Sequence, residues 1–387
     1  MDYPFAYSKP ATGKAFYGRK QDAKRICEAL SGGESIAIYG APKTGKTSLI
    51  LESLSQLKLS KAQFKVAETD LLDVRESKVF LSRLCENVIR TFAATTEEYE
   101  DIIATCFTGT HVRFDPEACS STGRIITLDG EPDKGDMAAM LTCPYTIAEE
   151  RGVRLYIILK EFQNLRFITD WETLFKTMEA IMKRQREIGS QPLCSWIFTG
   201  SQLNAMKDIF EHTKYFFRLV KVMNPSPFEA KDITERILRG FLSSGKVVER
   251  AQIDRVCRTL GNNLWYINHF MSICDHLSKG YITEPVLQEA MDTMISLSLP
   301  RFCSIVNDLT DYQINLLRAV AEGQSRFSSA DMIRRYGLSS SANVKRIKDA
   351  LSKKEIVTFS DTDEASIIDP LFEFWVKKYF FRQEIDF

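Results

Sequence analysis

The chain has 387 residues, 44% hydrophobic and 26% charged; this length suits two or three domains, and the composition excludes disordered, collagen-like and disulfide-miniprotein classes. Lysine plus arginine and aspartate plus glutamate each number 51, so no global field draws nucleic acid or membrane, and only a local basic patch stays open. The nine cysteines are scattered without a C-x-x-C pair, and no leader or span-length apolar run stands out; a cytoplasmic protein without zinc or membrane is expected.

Residues 20–31 read as a helix with Ala23, Ile26, Cys27 and Leu30 on one face, stopped by Gly32 and Gly33. Ser35 to Tyr39 is a short buried strand that runs into a glycine loop and a helix from Thr44 to about Leu57. A strand at Lys65 to Thr69 and a helix from Ser77 to Phe92 follow. Between 93 and 150, acidic and threonine-rich pieces surround short apolar runs, and loops with some helix are expected. Then come a strand at Val153 to Leu159, a helix at Glu172 to Glu187, a strand at Ser195 to Thr199 and a shorter strand at Arg218 to Val222. Strands alternating with helices predict a parallel sheet covered on both faces.

From Glu229 to about Ser298 the pattern is helical throughout. Beyond it, helices at Asp311 to Ala321, Ala330 to Tyr336 (with Ser328 as N-cap) and Ala342 to Lys353 precede a hairpin, Ile356 to Phe359 and Ser366 to Ile368. Three helices and a hairpin make a winged-helix pattern, and Pro370 opens one more helix. The expected domains are a core over 1–225, a helical lid over 226–298 and a winged helix over 299–387.

The strongest chemical signal is Gly40-Ala41-Pro42-Lys43-Thr44-Gly45-Lys46-Thr47, a G-x-x-x-x-G-K-[ST] phosphate loop between a predicted strand and a predicted helix. The glycines let the backbone wrap a phosphate, and the loop amides and helix N-terminus, through Ser48, point at it. Lys46 is positioned to neutralise the β- and γ-phosphates and the Thr47 hydroxyl to hold Mg²⁺. An acidic strand end is needed as its counterpart. In Arg154-Leu155-Tyr156-Ile157-Ile158-Leu159-Lys160-Glu161, Lys160 stands where an aspartate belongs, and Glu161 keeps the place of a water-activating base. Asp70, ending the preceding strand, is the replacement carboxylate for the metal. Ile125 to Asp129 is a competing acidic strand, and a solvated loop carboxylate is the plain alternative for Glu161.

These segments resemble prokaryotic archaeal-type AAA+/STAND ATPases. The resemblance rests on Tyr3-Pro4-Phe5, Phe16-Tyr17-Gly18-Arg19, the loop with Thr47-Ser48-Leu49-Ile50, Glu161-Phe162-Gln163, Phe198-Thr199-Gly200-Ser201 and Asp369-Pro370-Leu371-Phe372-Glu373-Phe374-Trp375, and covers about residues 3–381. It implies an α/β P-loop NTPase core of AAA+-like plan, a helical lid and a C-terminal winged helix, binding ATP or ADP. Ser201, or Thr199, then falls where such enzymes sense the γ-phosphate. Arg218 is either an arginine finger or a surface residue, and Arg19 either contacts the nucleoside or does not. Two departures stand out: Lys160 replaces the usual aspartate, and Asn263-Leu264 replaces a proline-containing lid motif. Lys345, Arg346 and Lys348 on the third winged-helix helix are candidate contacts for duplex DNA, against an acidic wing tip, Asp361 to Glu364. A protein partner, self-association or a non-hydrolysing scaffold stays open beside an ATP-driven switch.

Overall fold

The computed structural model describes residues 3–188, 192–213 and 215–385. Its chain divides into two units, one of Met1–Ala11, Ala41–Gly45 and Ser226–Phe387 and the other of Thr12–Gly40 and Lys46–Pro225.

In the second unit, β1 (Ser35–Tyr39), β2 (Phe64–Asp70), β3 (Arg154–Lys160), β4 (Cys194–Gly200) and β5 (Val220–Val222) form one sheet in the order β2-β3-β4-β1-β5. Every neighbouring pair is parallel. All five residues of β1 and all seven of β4 are buried, as a parallel sheet with helices on both faces requires. Alternation along the strands then sorts the core. Ile36, Ile38, Tyr156, Ile158 and Ile197 pack against the helices Lys20–Ser31 and Lys46–Leu59. Ala37, Ile157, Leu159, Trp196 and Phe198 meet the helices Ser77–Phe92, Lys134–Arg151 and Trp171–Ile188 on the other face.

Three sequence expectations change. The stretch 93–150 is mostly helical, with Thr96–Cys106, Pro116–Thr122 and Lys134–Arg151 each opened by a side-chain cap from Thr95, Asp115 or Asp133. The competing acidic strand is not part of the main sheet: Thr127–Leu128 pairs antiparallel with Val112–Arg113 in a separate ribbon. The last strand of the sheet is shorter than expected and begins at Val220.

In the first unit, the helices Ala230–Ser243, Arg250–Thr259, Leu264–Leu277 and Glu284–Asn307 share one apolar core with the C-terminal elements. Phe5 is buried in it, its ring 4.6 Å from that of Phe241. The helices Asp311–Ala321, Ala330–Tyr336 and Ser341–Lys353 and the hairpin of β6 (Val357–Phe359) and β7 (Ala365–Ile367) form the winged helix. The cap of its second helix is Ser329 rather than Ser328: the Ser329 hydroxyl accepts from the Met332 amide at 3.4 Å. Among the described residues, no helix is long and apolar enough to cross a membrane.

Candidate nucleotide site

The phosphate loop joins β1 to the helix Lys46–Leu59, and its backbone is left-handed at Lys43 (φ 66°) and Gly45 (φ 86°). Thr47 lies in the first turn of that helix and is exposed. The turn carries no acidic residue, so its amide ends keep their attraction for an anion. Lys46 Nζ donates to the Gly40 carbonyl at 2.8 Å. Loss of solvent around Lys46 pulls its pKa down to about 8, with Glu161 raising it and Arg19 lowering it. Arg19 is itself lowered to about 10 by desolvation, partly offset by Asp22. The structure thus brings Lys46 within electrostatic reach of both Arg19 and Glu161.

Glu161 follows β3 directly and has a left-handed backbone, φ 55°, a conformation that costs about 1–2 kcal/mol for a residue with a Cβ. Its side chain is tied down. Oε2 accepts from the Ser201 amide at 3.2 Å, the Ser201 hydroxyl at 2.5 Å and Gln163 Nε2 at 2.7 Å. The parallel pairing of β3 with β4 is what sets Glu161 beside Ser201. Thr199 instead donates weakly to the Leu159 carbonyl, at 3.5 Å. In the sequence Gln163 stands out only as the last residue of the Glu161-Phe162-Gln163 segment, with no role of its own assigned.

Gly200 closes this arrangement. A Cβ there would lie 2.4 Å from both Gln163 Oε1 and Met206 Cγ. Gly200→Ala is therefore expected to cost about 1–3 kcal/mol through overpacking, read as a lower midpoint in urea unfolding. An unchanged midpoint would mean that Gln163 and Met206 yield freely.

Lys160 is ion-paired with Glu68 of β2, and alternation puts it on the same sheet face as Tyr156 and Ile158, the face of the helix Lys46–Leu59. Two expected residues are not brought to the loop. Asp70 ends the edge strand, with β3 and β4 between it and β1, three strand spacings or about 14 Å away. Its carboxylate accepts from the Leu72 amide at 2.9 Å. Arg218 precedes β5, whose Val220 pairs with Ser35, so it lies below the start of β1, at the opposite end of the sheet from the loop. It is exposed, its guanidinium 5.2 Å from the Phe217 ring. Among the described residues, Glu161 Oε2 is engaged by three donors, Glu68 is paired and Asp70 is remote, so these three carboxylates do not fit a protein-held Mg²⁺.

The lid departure has a plain structural substitute. Asn263 caps the helix Leu264–Leu277, its Oδ1 accepting from the Trp265 and Tyr266 amides at 3.0 and 3.3 Å. In the winged helix, Lys345 and Arg346 are exposed. Lys348 is not available to a phosphate in the same way: it is ion-paired with Asp363 of the wing and lies 4.8 Å from the Phe359 ring. His111, Asp133 and Asp136 also converge, but as a helix start: Asp133 and Asp136 form a capping box, and Asp136 raises the His111 pKa.

A family model described as a probable winged helix domain matches residues 300–378. No curated protein matches the chain. Among solved structures, the Walker-type ATPase of Pyrococcus abyssi is similar at 17% identity and TM-score 0.63, covering 96% of this chain and 98% of that one. The Aeropyrum pernix ORC2 protein, described in ADPNP-ADP complexes, is similar at 12% identity and TM-score 0.56, covering 96% and 94%. Cdc6p from Pyrobaculum aerophilum follows at 13% and 0.50, covering 96% and 95%. The chain has the AAA+ fold of archaeal Walker-type ATPases and ORC/Cdc6 proteins, with a C-terminal winged-helix domain.

Proposed function

We propose that the protein binds ATP at the phosphate loop and works as a nucleotide-dependent switch with slow or regulated hydrolysis. The observation that carries this reading is the pair of partly desolvated cations, Lys46 and Arg19, beside a helix N-terminus and a tethered Glu161. Loop residues Gly40 to Ser48, Pro42 excepted for want of an N–H, hold the β- and γ-phosphates through backbone amides, and Lys46 offsets their charge. Glu161 takes the proton of the attacking water once the Ser201 hydroxyl turns from Oε2 to the γ-phosphate. Slow turnover is supported by Lys160, whose ammonium stands where a metal-binding carboxylate is usual. The test is nucleotide binding and phosphate release from ATP by the purified chain, with Lys46→Ala as control. ATP affinity equal in the two proteins would sink the reading.

Duplex DNA is a second reading, favoured by the exposed Lys345 and Arg346. Binding is then expected to weaken with salt, and Lys345→Ala with Arg346→Ala to reduce the slope of log affinity against log salt by about 2. A slope unchanged in the double variant would dismiss these contacts.

A further inference from the structure

Lys43 of the phosphate loop turns its side chain onto two aromatic rings. Its Nζ stands 3.8 Å from the centroid of the Trp265 ring and 4.9 Å from that of Tyr266, inside the range at which a ring face holds a cation. Its left-handed backbone is one that a residue with a Cβ keeps only where surroundings hold it. The receiving ring is itself fixed. Trp265 meets Tyr7 edge-on at 5.4 Å and His269 at 5.3 Å, while Tyr7 stacks on His269 at 4.4 Å.

The contact continues into the winged-helix domain. The Tyr266 hydroxyl donates to Asp369 Oδ2 at 3.0 Å, and Arg301 donates to the same oxygen at 2.6 Å. Asp369 Oδ1 accepts from the Leu371 and Phe372 amides at 3.0 and 3.3 Å, capping the helix Pro370–Trp375. All these residues belong to the first unit.

We propose that Lys43 is a latch that reports occupancy of the phosphate loop to the winged-helix domain through Trp265, Tyr266 and Asp369. This rests on the reading that the loop takes a nucleotide polyphosphate. Several negative charges seated on the loop attract the Lys43 ammonium more strongly than do two neutral ring faces and an Asp369 carboxylate already paired with Arg301. Lys43 turns to the phosphates, Trp265 and Tyr266 lose their cation, and the hold of Tyr266 on Asp369 loosens. The free protein is the latched form and the nucleotide-bound protein the released one.

The test is amide hydrogen exchange on the full chain, with and without a non-hydrolysable ATP analogue, alongside a separate measurement of analogue affinity. In the wild type, saturating analogue is expected to speed exchange severalfold in residues 264–277 and 369–375. In Lys43→Met, and independently in Trp265→Leu, the free protein is expected to exchange already at the faster rate, with little further change on binding. Analogue binding without change at either segment, or a wild-type response in both variants, would overturn the latch alone. Failure of the wild type to bind the analogue would overturn the nucleotide reading and the latch with it.

Discussion

ATP affinity is expected to fall about tenfold for each pH unit above 8, and Lys46→Ala to weaken it about 100-fold at pH 7 while removing that dependence. Desolvation sets the Lys46 pKa at about 8 in the free protein, and a bound polyphosphate restores it upward by stabilising the ammonium. Above pH 8 each binding event must therefore take up close to one proton. Calorimetric titration from pH 7 to 9.5, in buffers of different ionisation enthalpy, reads both the affinity and the proton. The sign on the free fold is opposite. A lysine with a depressed pKa costs stability while it is ionised, below about 8, and that cost is relieved as pH rises toward the unfolded value. An affinity flat across the range would remove Lys46 from the phosphate site.

The second large effect concerns turnover. Glu161→Gln is expected to lower ATP hydrolysis by about 10²–10⁴-fold, the usual contribution of a positioned base, with nucleotide affinity retained. Lys160→Asp is expected to act in the other direction. It removes the ammonium from the sheet face of the loop helix and leaves a second carboxylate beside Glu68, and hydrolysis should rise and become sensitive to EDTA. Phosphate release by both variants and the wild type decides it. Equal rates for Glu161→Gln and wild type would strip Glu161 of its role.

What is legible in the sequence is local. Ser35–Tyr39 and Ser77–Phe92 have the bounds that their apolar patterns indicate, and the phosphate loop is defined by contiguous residues. The helix Lys134–Arg151 is not legible because it is buried on several sides and contains Pro144, so it offers neither a clear stripe nor an unbroken run. The site's connections are illegible for a different reason. The bond from Ser201 to Glu161 follows from strand register, the pairing of Lys160 with Glu68 from two strands being neighbours, and the contact of Lys43 with Trp265 from residues far apart in the chain. None of these leaves a spacing to read.

The strand order has a consequence for biosynthesis. β1 is made well before either of its neighbours in the sheet, β4 and β5, which begin at Cys194 and Val220. At about 5–20 residues per second, the apolar segment Ser-Ile-Ala-Ile-Tyr waits roughly 10–30 s on the ribosome before its ladder forms. During that interval it is an unpaired strand edge open to mispairing. A nascent chain truncated before Cys194 carries every residue of the phosphate loop and yet lacks the sheet that holds its ends, so nucleotide can select only chains that extend past the last strand, Val220–Val222.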